Sequence, residues 1–227
     1  MRRAALGPGE RVLDIGSGTG IAAAAAVGEG RSVMGVDGAP AMLEIARREV
    51  PAASFAVMDF TDLRLDDATW DVVISSHALL FADDRAAALA EWRRVVRAGG
   101  RLSLSVPGPG ELTPPAIYGP IYERYRIDTS GRYPTESQLA GWAQAAGWRD
   151  VQTAADREMA IRLGDDEAFR MWRSLGSQAV TSAHLTAAEH ETLTAEMLAV
   201  TPREPDGTLR IPFAALYLTA RNPAPGS

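Results

Sequence analysis

The 227-residue chain contains no cysteine. That absence removes disulfides, thiolate metal sites and cysteine nucleophiles together. Histidine is also scarce, with three in the chain, His77, His184 and His190. Without a histidine–carboxylate cluster at ligand spacing, no metal site is expected. Positive charge is in deficit: 23 Lys and Arg stand against 29 Asp and Glu, a formal net charge of -6. Phosphate neutralisation needs a basic surface, so no nucleic-acid partner is expected. Long apolar runs are missing too. The alanine stretch is too short to span a bilayer, and the basic start "MRRAALGPGE" lacks the apolar core of a signal peptide. No membrane partner is expected, and the default location is cytoplasmic.

Short β-branched runs alternate with helical patterns through the first half. "RVLDI", "SVMGVD", "ASFAVMD", "WDVVISS" and "RLSLSVP" read as five strands. Helices are predicted from about Gly20 to Gly28, Ala41 to Glu49 and Asp84 to Arg97, the last ended by "AGG". This alternation predicts right-handed crossovers and a parallel sheet. After Pro107 the chain turns proline-rich and irregular, with room for one helix. "TESQ" at Thr135 to Gln138 is a capping box opening a helix that stops near Gly147. A sixth strand within "WRDVQTAADREMAIRL", two helices over "DDEAFRMWRSLGSQAV" and "TAAEHETLTAEML", and a final strand in "GTLRIPFAALYLTARN" complete the pattern.

The stretch "VLDIGSGTG" joins the first strand to the first helix through a glycine turn. Such a turn suits an anionic ligand group, whether a pyrophosphate or an amino-acid carboxylate. The dinucleotide fingerprint is only weakly met: from Gly16 its third glycine is Ile21, and from Gly18 it is Ala23. The flanking acids discriminate better. Asp14, just before the turn, would repel a pyrophosphate but can help hold a cationic α-amino group. Asp37 ends the second strand, where a carboxylate can accept both hydroxyls of a ribose. Asp59 ends the third, placed to accept from an adenine amine. Met42 and Phe60 suit the faces of an adenine ring. An adenosine with an amino-acid tail, S-adenosylmethionine, meets all of these demands. A nicotinamide cofactor rests on Gly18, Gly20, Ala23 and Asp37 alone.

"VLDIGSGTG", "GVD", "VMDF", "WDVVISSHALLF" and "EWRRVVRAGGRLSLSV" occur in order over Val12 to Val106. The series resembles the motifs of class I S-adenosylmethionine-dependent methyltransferases, and within them the small-molecule branch of ubiquinone and menaquinone methyltransferases. The resemblance implies a Rossmann-like α/β fold with seven strands in one sheet, the last antiparallel and inserted beside the fifth. It implies that Asp14, Gly16, Gly18 and Gly20 surround the methionine part, with Ser75 nearby, Asp37 at the ribose, and Asp59 with Phe60 at the adenine. Ser17, Gly38 and Met42 are expected among the cofactor-binding residues as well. The expected activity is methyl transfer to an oxygen, nitrogen or carbon of a small molecule. The alternative is a protein of this fold that binds S-adenosylmethionine or S-adenosylhomocysteine without methyl transfer.

His77, just past the fourth strand, is the candidate general base; a local packing role is the competing reading. The chain is expected to form a single domain, 1–227, with a cofactor-binding half at 12–106 and substrate-lid insertions at 107–135 and 165–207. Tyr118, Tyr122, Tyr125 and Trp172 suit an apolar acceptor, or equally the packing of the lid. Related enzymes usually carry some tens of residues before the first motif, whereas eleven precede Val12 here. Either the start is truncated, or the site is open, or the C-terminal helices or another chain cover it. A homodimer is an open option.

Overall fold

The computed structural model describes residues 2–174 and 176–224. They divide into two compact units, one of Met1–Val106, Thr135–Ala154 and Leu216–Ser227, the other of Pro107–Pro134 and Ala155–Ala215.

The first unit carries the sheet. Its strands are β1 (Arg11–Ile15), β2 (Ser32–Asp37), β3 (Ser54–Val57), β4 (Trp70–Ser76) and β5 (Val96–Pro107), with β6 (Arg149–Asp156) and β9 (Ala215–Arg221). Seven strands run in the order β3-β2-β1-β4-β5-β9-β6, and β9 is antiparallel in a mostly parallel sheet. This matches the expected insertion of the last strand beside the fifth. The crossover helices are α1 (Ile21–Ala26), α2 (Pro40–Glu49) and α3 (Arg85–Val95), and α5 (Glu136–Ala145) precedes β6.

Side chains alternate across the sheet. Val12, Val33, Val72 and Ile74 pack with Ala23 and Ala26 of α1. The intervening Leu13, Ile15 and Val73 are equally inaccessible. Both faces of the central strands are therefore covered, as a parallel sheet requires. The helix ends follow their local chemistry. Asp84 caps α3 by accepting from the Ala87 amide at 2.9 Å, and the Thr135–Gln138 capping box opens α5 as expected.

The structure corrects several boundaries. α1 is a six-residue helix, because Gly20 at its start is left-handed and Val27 at its end is already extended. The third strand stops at Val57, so Asp59 lies two residues past it. "AGG" does not end α3. Val96 is already extended, and the glycines fall at a register shift within β5, where Trp70 pairs with Val96 but Val72 with Arg101.

The second unit holds α4 (Pro115–Arg124), α6 (Asp166–Arg173), α7 (Gly176–Thr181), α8 (Ala187–Val200) and the antiparallel pair of β7 (Ala160–Leu163) and β8 (Leu209–Pro212). Two predicted strands are thus divided: "WRDVQTAADREMAIRL" gives β6 and β7, and the closing run gives β8 and β9. The first predicted lid helix is likewise split into α6 and α7. The unit's core gathers Tyr118, Tyr122, Phe169, Leu193, Met197 and Ile211.

Candidate functional site

The glycine turn after β1 has a specific backbone. Gly16, Gly18 and Gly20 have φ of 69°, 53° and 86°. Every second residue is left-handed, a conformation that side-chain-bearing residues resist. Gly16 also lacks room: a Cβ there would stand 2.1 Å from that of Ala78, so the turn packs directly on the segment after β4. Gly18 is the opposite case, with open space where its Cβ would be. The turn's amides serve the protein itself. Gly16 and Ser17 donate to the Val36 carbonyl at 2.8 and 3.0 Å, and Gly20 donates to that of Ser17 at 2.8 Å. What the turn leaves for a ligand is a close approach to backbone at Gly18.

Asp14 is the unusual group. Pairing opposite Gly35 on β2 and Ile74 on β4 fixes it within the sheet, and alternation turns it to the α1 face with Val12. Its exposure is 0%. Neither carboxylate oxygen has a hydrogen-bond partner among the described residues. Burial raises its pKa to about 7, the nearby Asp37 adding to the rise, and the Ala23 amide opposes it from a position short of a hydrogen bond. A buried carboxylate normally has partners, since desolvation alone costs several kcal/mol (roughly 2–7 for a polar group). The buried Ser17 hydroxyl is a second unpartnered group on the same turn. Together they fit the two ends of an α-amino acid: a carboxylate for its ammonium and a hydroxyl for its carboxylate.

Asp37, at the end of β2, accepts the Gly18 amide at 2.8 Å on Oδ2 and the Ala39 amide at 2.9 Å on Oδ1. Each oxygen keeps a second lone-pair site for a further donor, such as a ribose hydroxyl. At Gly38 the nearest neighbour of a Cβ would be the Met58 carbonyl at 4.0 Å. Met42, one turn into α2, is 39% exposed despite being apolar. Asp59 is exposed, and its Oδ1 accepts from the amide and hydroxyl of Thr61 at 2.8 and 2.7 Å, which lowers its pKa. Phe60 stands edge-on to Trp92, ring centres 6.3 Å apart, while its carbonyl accepts the Trp92 indole N–H at 2.9 Å. That double tie fixes the segment after Asp59.

Ser75 is buried and donates to the Ile15 carbonyl at 2.8 Å, stitching the end of β4 to the start of the glycine turn. Ser76 is exposed, with its hydroxyl 3.1 Å from Nδ1 of His77. His77 has φ of 63°, left-handed for a residue with a side chain, and its amide donates to Ser105 at 2.8 Å. Such strain persists where surrounding structure holds it, and it clusters at active sites. Burial lowers the imidazole pKa, favouring the neutral form.

A family model described as a methyltransferase domain matches residues 13–104. The chain is 31% identical over 162 residues to a demethylmenaquinone methyltransferase of Renibacterium salmoninarum, covering 63% of this chain and 68% of that protein. It belongs to the class I S-adenosylmethionine-dependent methyltransferases. A malonyl-[acyl-carrier protein] O-methyltransferase of Serratia marcescens is 38% identical over 105 residues, 46% of this chain; the chain spans only 41% of that relative. Phosphoethanolamine N-methyltransferase 2 of Haemonchus contortus, solved with S-adenosylhomocysteine, shares the fold at a TM-score of 0.60 and 19% identity. The match covers 96% of this chain and 50% of that one.

As a member of this family the chain uses S-adenosylmethionine as cofactor. The first unit brings together Asp14, the glycine turn, Asp37 and Ser75 by direct bonds or packing. His184 and His190 belong to the second unit, where the exposed His184 lies 3.0 Å from the Tyr125 carbonyl. Among the described residues no cluster of histidines and acids suits a metal. Sequence reasoning missed Gly35, where a Cβ would meet the Phe55 ring at 2.5 Å and Ser17 Oγ at 2.7 Å. Its signal was available: glycine inside a strand pattern marks a close approach.

Proposed function

We propose that this chain transfers a methyl group from S-adenosylmethionine to an oxygen, nitrogen or carbon atom of a small-molecule acceptor, with the cofactor held at the glycine turn after β1. The observation that carries the reading is Asp14, a fully buried carboxylate with no hydrogen-bond partner among the described residues. The cofactor, when bound, supplies an electrophilic methyl on a sulfonium. Asp14 pairs with its α-ammonium, and Ser17 with its carboxylate. Gly16, Gly18 and Gly20 let the backbone come close. Asp37 and Gly38 take the ribose, while Met42, Asp59 and Phe60 take the adenine. Ser75 fixes the wall beside the methionine part through Ile15.

His77 is the proposed general base. Its depressed pKa keeps the imidazole neutral near pH 7, and Ser76 beside Nδ1 orients the ring. An acceptor with an acidic carbon or an ionised oxygen needs only alignment. The second unit is read as the acceptor-recognising lid, and the whole as one functional domain. We further read the chain as cytoplasmic, and as without a nucleic-acid partner on its net charge of -6. No helix among the described residues is long and apolar enough to cross a membrane. A homodimer is the assembly to look for by sedimentation.

Incubation with S-adenosylmethionine and a panel of quinols, phenols, amines and carboxylic acids tests the reading. A product heavier by one methyl, with S-adenosylhomocysteine released in equal amount, is the expected result. Tight cofactor binding with no methylated product across the panel would favour cofactor binding without methyl transfer.

A further inference from the structure

Two partly shielded arginines of the first unit have carboxylate partners at close range. Arg101 bonds both oxygens of Glu10 at 2.7 Å, and Arg94 bonds Glu91 through two nitrogens at 2.9 and 2.7 Å. Arg173, the last residue of α6 in the second unit, breaks the pattern. It is 4% exposed. Its hydrogen-bond partner is the neutral Gln178 amide oxygen, 3.5 Å from Nη1. Its Nε has no partner among the described residues, and no carboxylate among them pairs with it.

The surrounding groups do not neutralise it. Burial pushes the Tyr118 phenol up to about 12 and the Tyr122 phenol higher still, so both are uncharged at neutral pH. The Tyr118 hydroxyl is engaged with Thr201 at 2.7 Å, and that of Tyr122 shares Gln178 Oε1 at 3.3 Å. Desolvation lowers the Arg173 pKa, though a guanidinium stays charged in any protein. A buried cation facing neutral dipoles is costly, and the partial negative charge at the end of α6 offsets only a fraction of it.

We propose that Arg173 is an anion-recognition residue, binding the carboxylate of an acid whose body is aromatic or otherwise apolar. The guanidinium fork matches a carboxylate in two parallel hydrogen bonds. The apolar body follows from the neighbours: Phe169 lies 5.4 Å from Trp172 and 6.5 Å from Tyr118, ring centre to ring centre. Tyr122 and Gln178 supply polar edges. As acceptor recognition this rests on the methyltransferase reading above; as anion binding it stands alone.

Calorimetric titration of the full chain with benzoate, benzamide and inorganic phosphate tests the site. Benzoate is expected to bind saturably at one site, at least tenfold tighter than its neutral isostere benzamide and tighter than phosphate. Arg173→Gln should weaken benzoate at least tenfold, and Arg173→Lys, which keeps the charge but not the fork, should fall between. Near-ultraviolet circular dichroism of the buried tyrosines and Trp172 certifies that the second unit of each variant is folded, and S-adenosylmethionine affinity should be unchanged; absence of that affinity in wild type would count against the methyltransferase reading alone. Equal binding of benzoate and benzamide, tighter binding of phosphate, or wild-type benzoate affinity in Arg173→Gln would overturn the assignment. Should Arg173→Gln fail to fold, the benzoate–benzamide comparison on wild type still decides it.

Discussion

Asp37 Oδ2 accepts the Gly18 amide at 2.8 Å, across the glycine turn from the neighbouring strand. The residue read as the ribose acid thus also holds the turn proposed to receive the methionine end. Asp37→Ala removes both functions. We expect S-adenosylmethionine affinity to fall by about 10–100-fold, the loss of one or two charge-assisted hydrogen bonds. Titration calorimetry checks this, and unchanged affinity would undo the cofactor assignment.

Asp14 makes a stability prediction with a definite sign. Its folded pKa of about 7 lies above the ordinary 3.8. The protonated form is therefore favoured by the fold. The contribution is fully present below about pH 4 and is lost as pH rises through 7, by roughly 4 kcal/mol at most. The carboxylates held below their ordinary values, such as Glu10 and Glu91, act in the opposite sense and at lower pH. Asp14→Asn should raise the melting temperature of the cofactor-free chain at pH 8 but not at pH 4. It should also weaken S-adenosylmethionine binding and abolish the rise in affinity between pH 6 and 7.5. Thermal melts and titrations at these pH values report both effects.

Gly16→Ala tests the turn itself. At φ of 69°, with Ala78 2.1 Å from the new methyl, either the turn or the segment after β4 must shift. A loss of roughly 2–4 kcal/mol is expected from the strained backbone and the clash. Gly18→Ala, with open space at a similar φ, should cost about 1–2 kcal/mol. Denaturant unfolding of the pair separates clash from backbone strain.

His77→Gln should lower kcat by about 10²-fold or more for an acceptor that must lose a proton. In wild type the acid limb of the kcat profile should fall below pH 6.5, because burial lowers the imidazole pKa. The limb should vanish in the variant. An unaltered profile would return His77 to a packing role.

The cofactor half was readable because its demands are local. Asp14, Asp37, Asp59 and Ser75 each lie at or within two residues of the end of β1, β2, β3 or β4, and the glycines must sit where the backbone turns left-handed. The second unit was less readable. "GTLRIPFAALYLTARN" alternates throughout, yet Pro212 closes β8 and Ala215 opens β9 in a different sheet; alternation does not reveal which partner a strand takes. "AGG" resembles a helix end, but pairing with Trp70 had already drawn Val96 into β5. Arg173 falls among alternating charges on α6, and nothing in its neighbours distinguishes it from the ion-paired Arg170. Burial came from tertiary packing.

The proposed hold of the glycine turn and Asp14 on S-adenosylmethionine is open to a direct titration of wild type and Asp14→Asn with S-adenosylmethionine, NAD and NADP. Saturable one-to-one binding of S-adenosylmethionine is expected, at least tenfold weaker in the variant, with no saturable binding of either dinucleotide. Tighter binding of NAD or NADP than of S-adenosylmethionine, or equal S-adenosylmethionine affinity in wild type and Asp14→Asn, would contradict it.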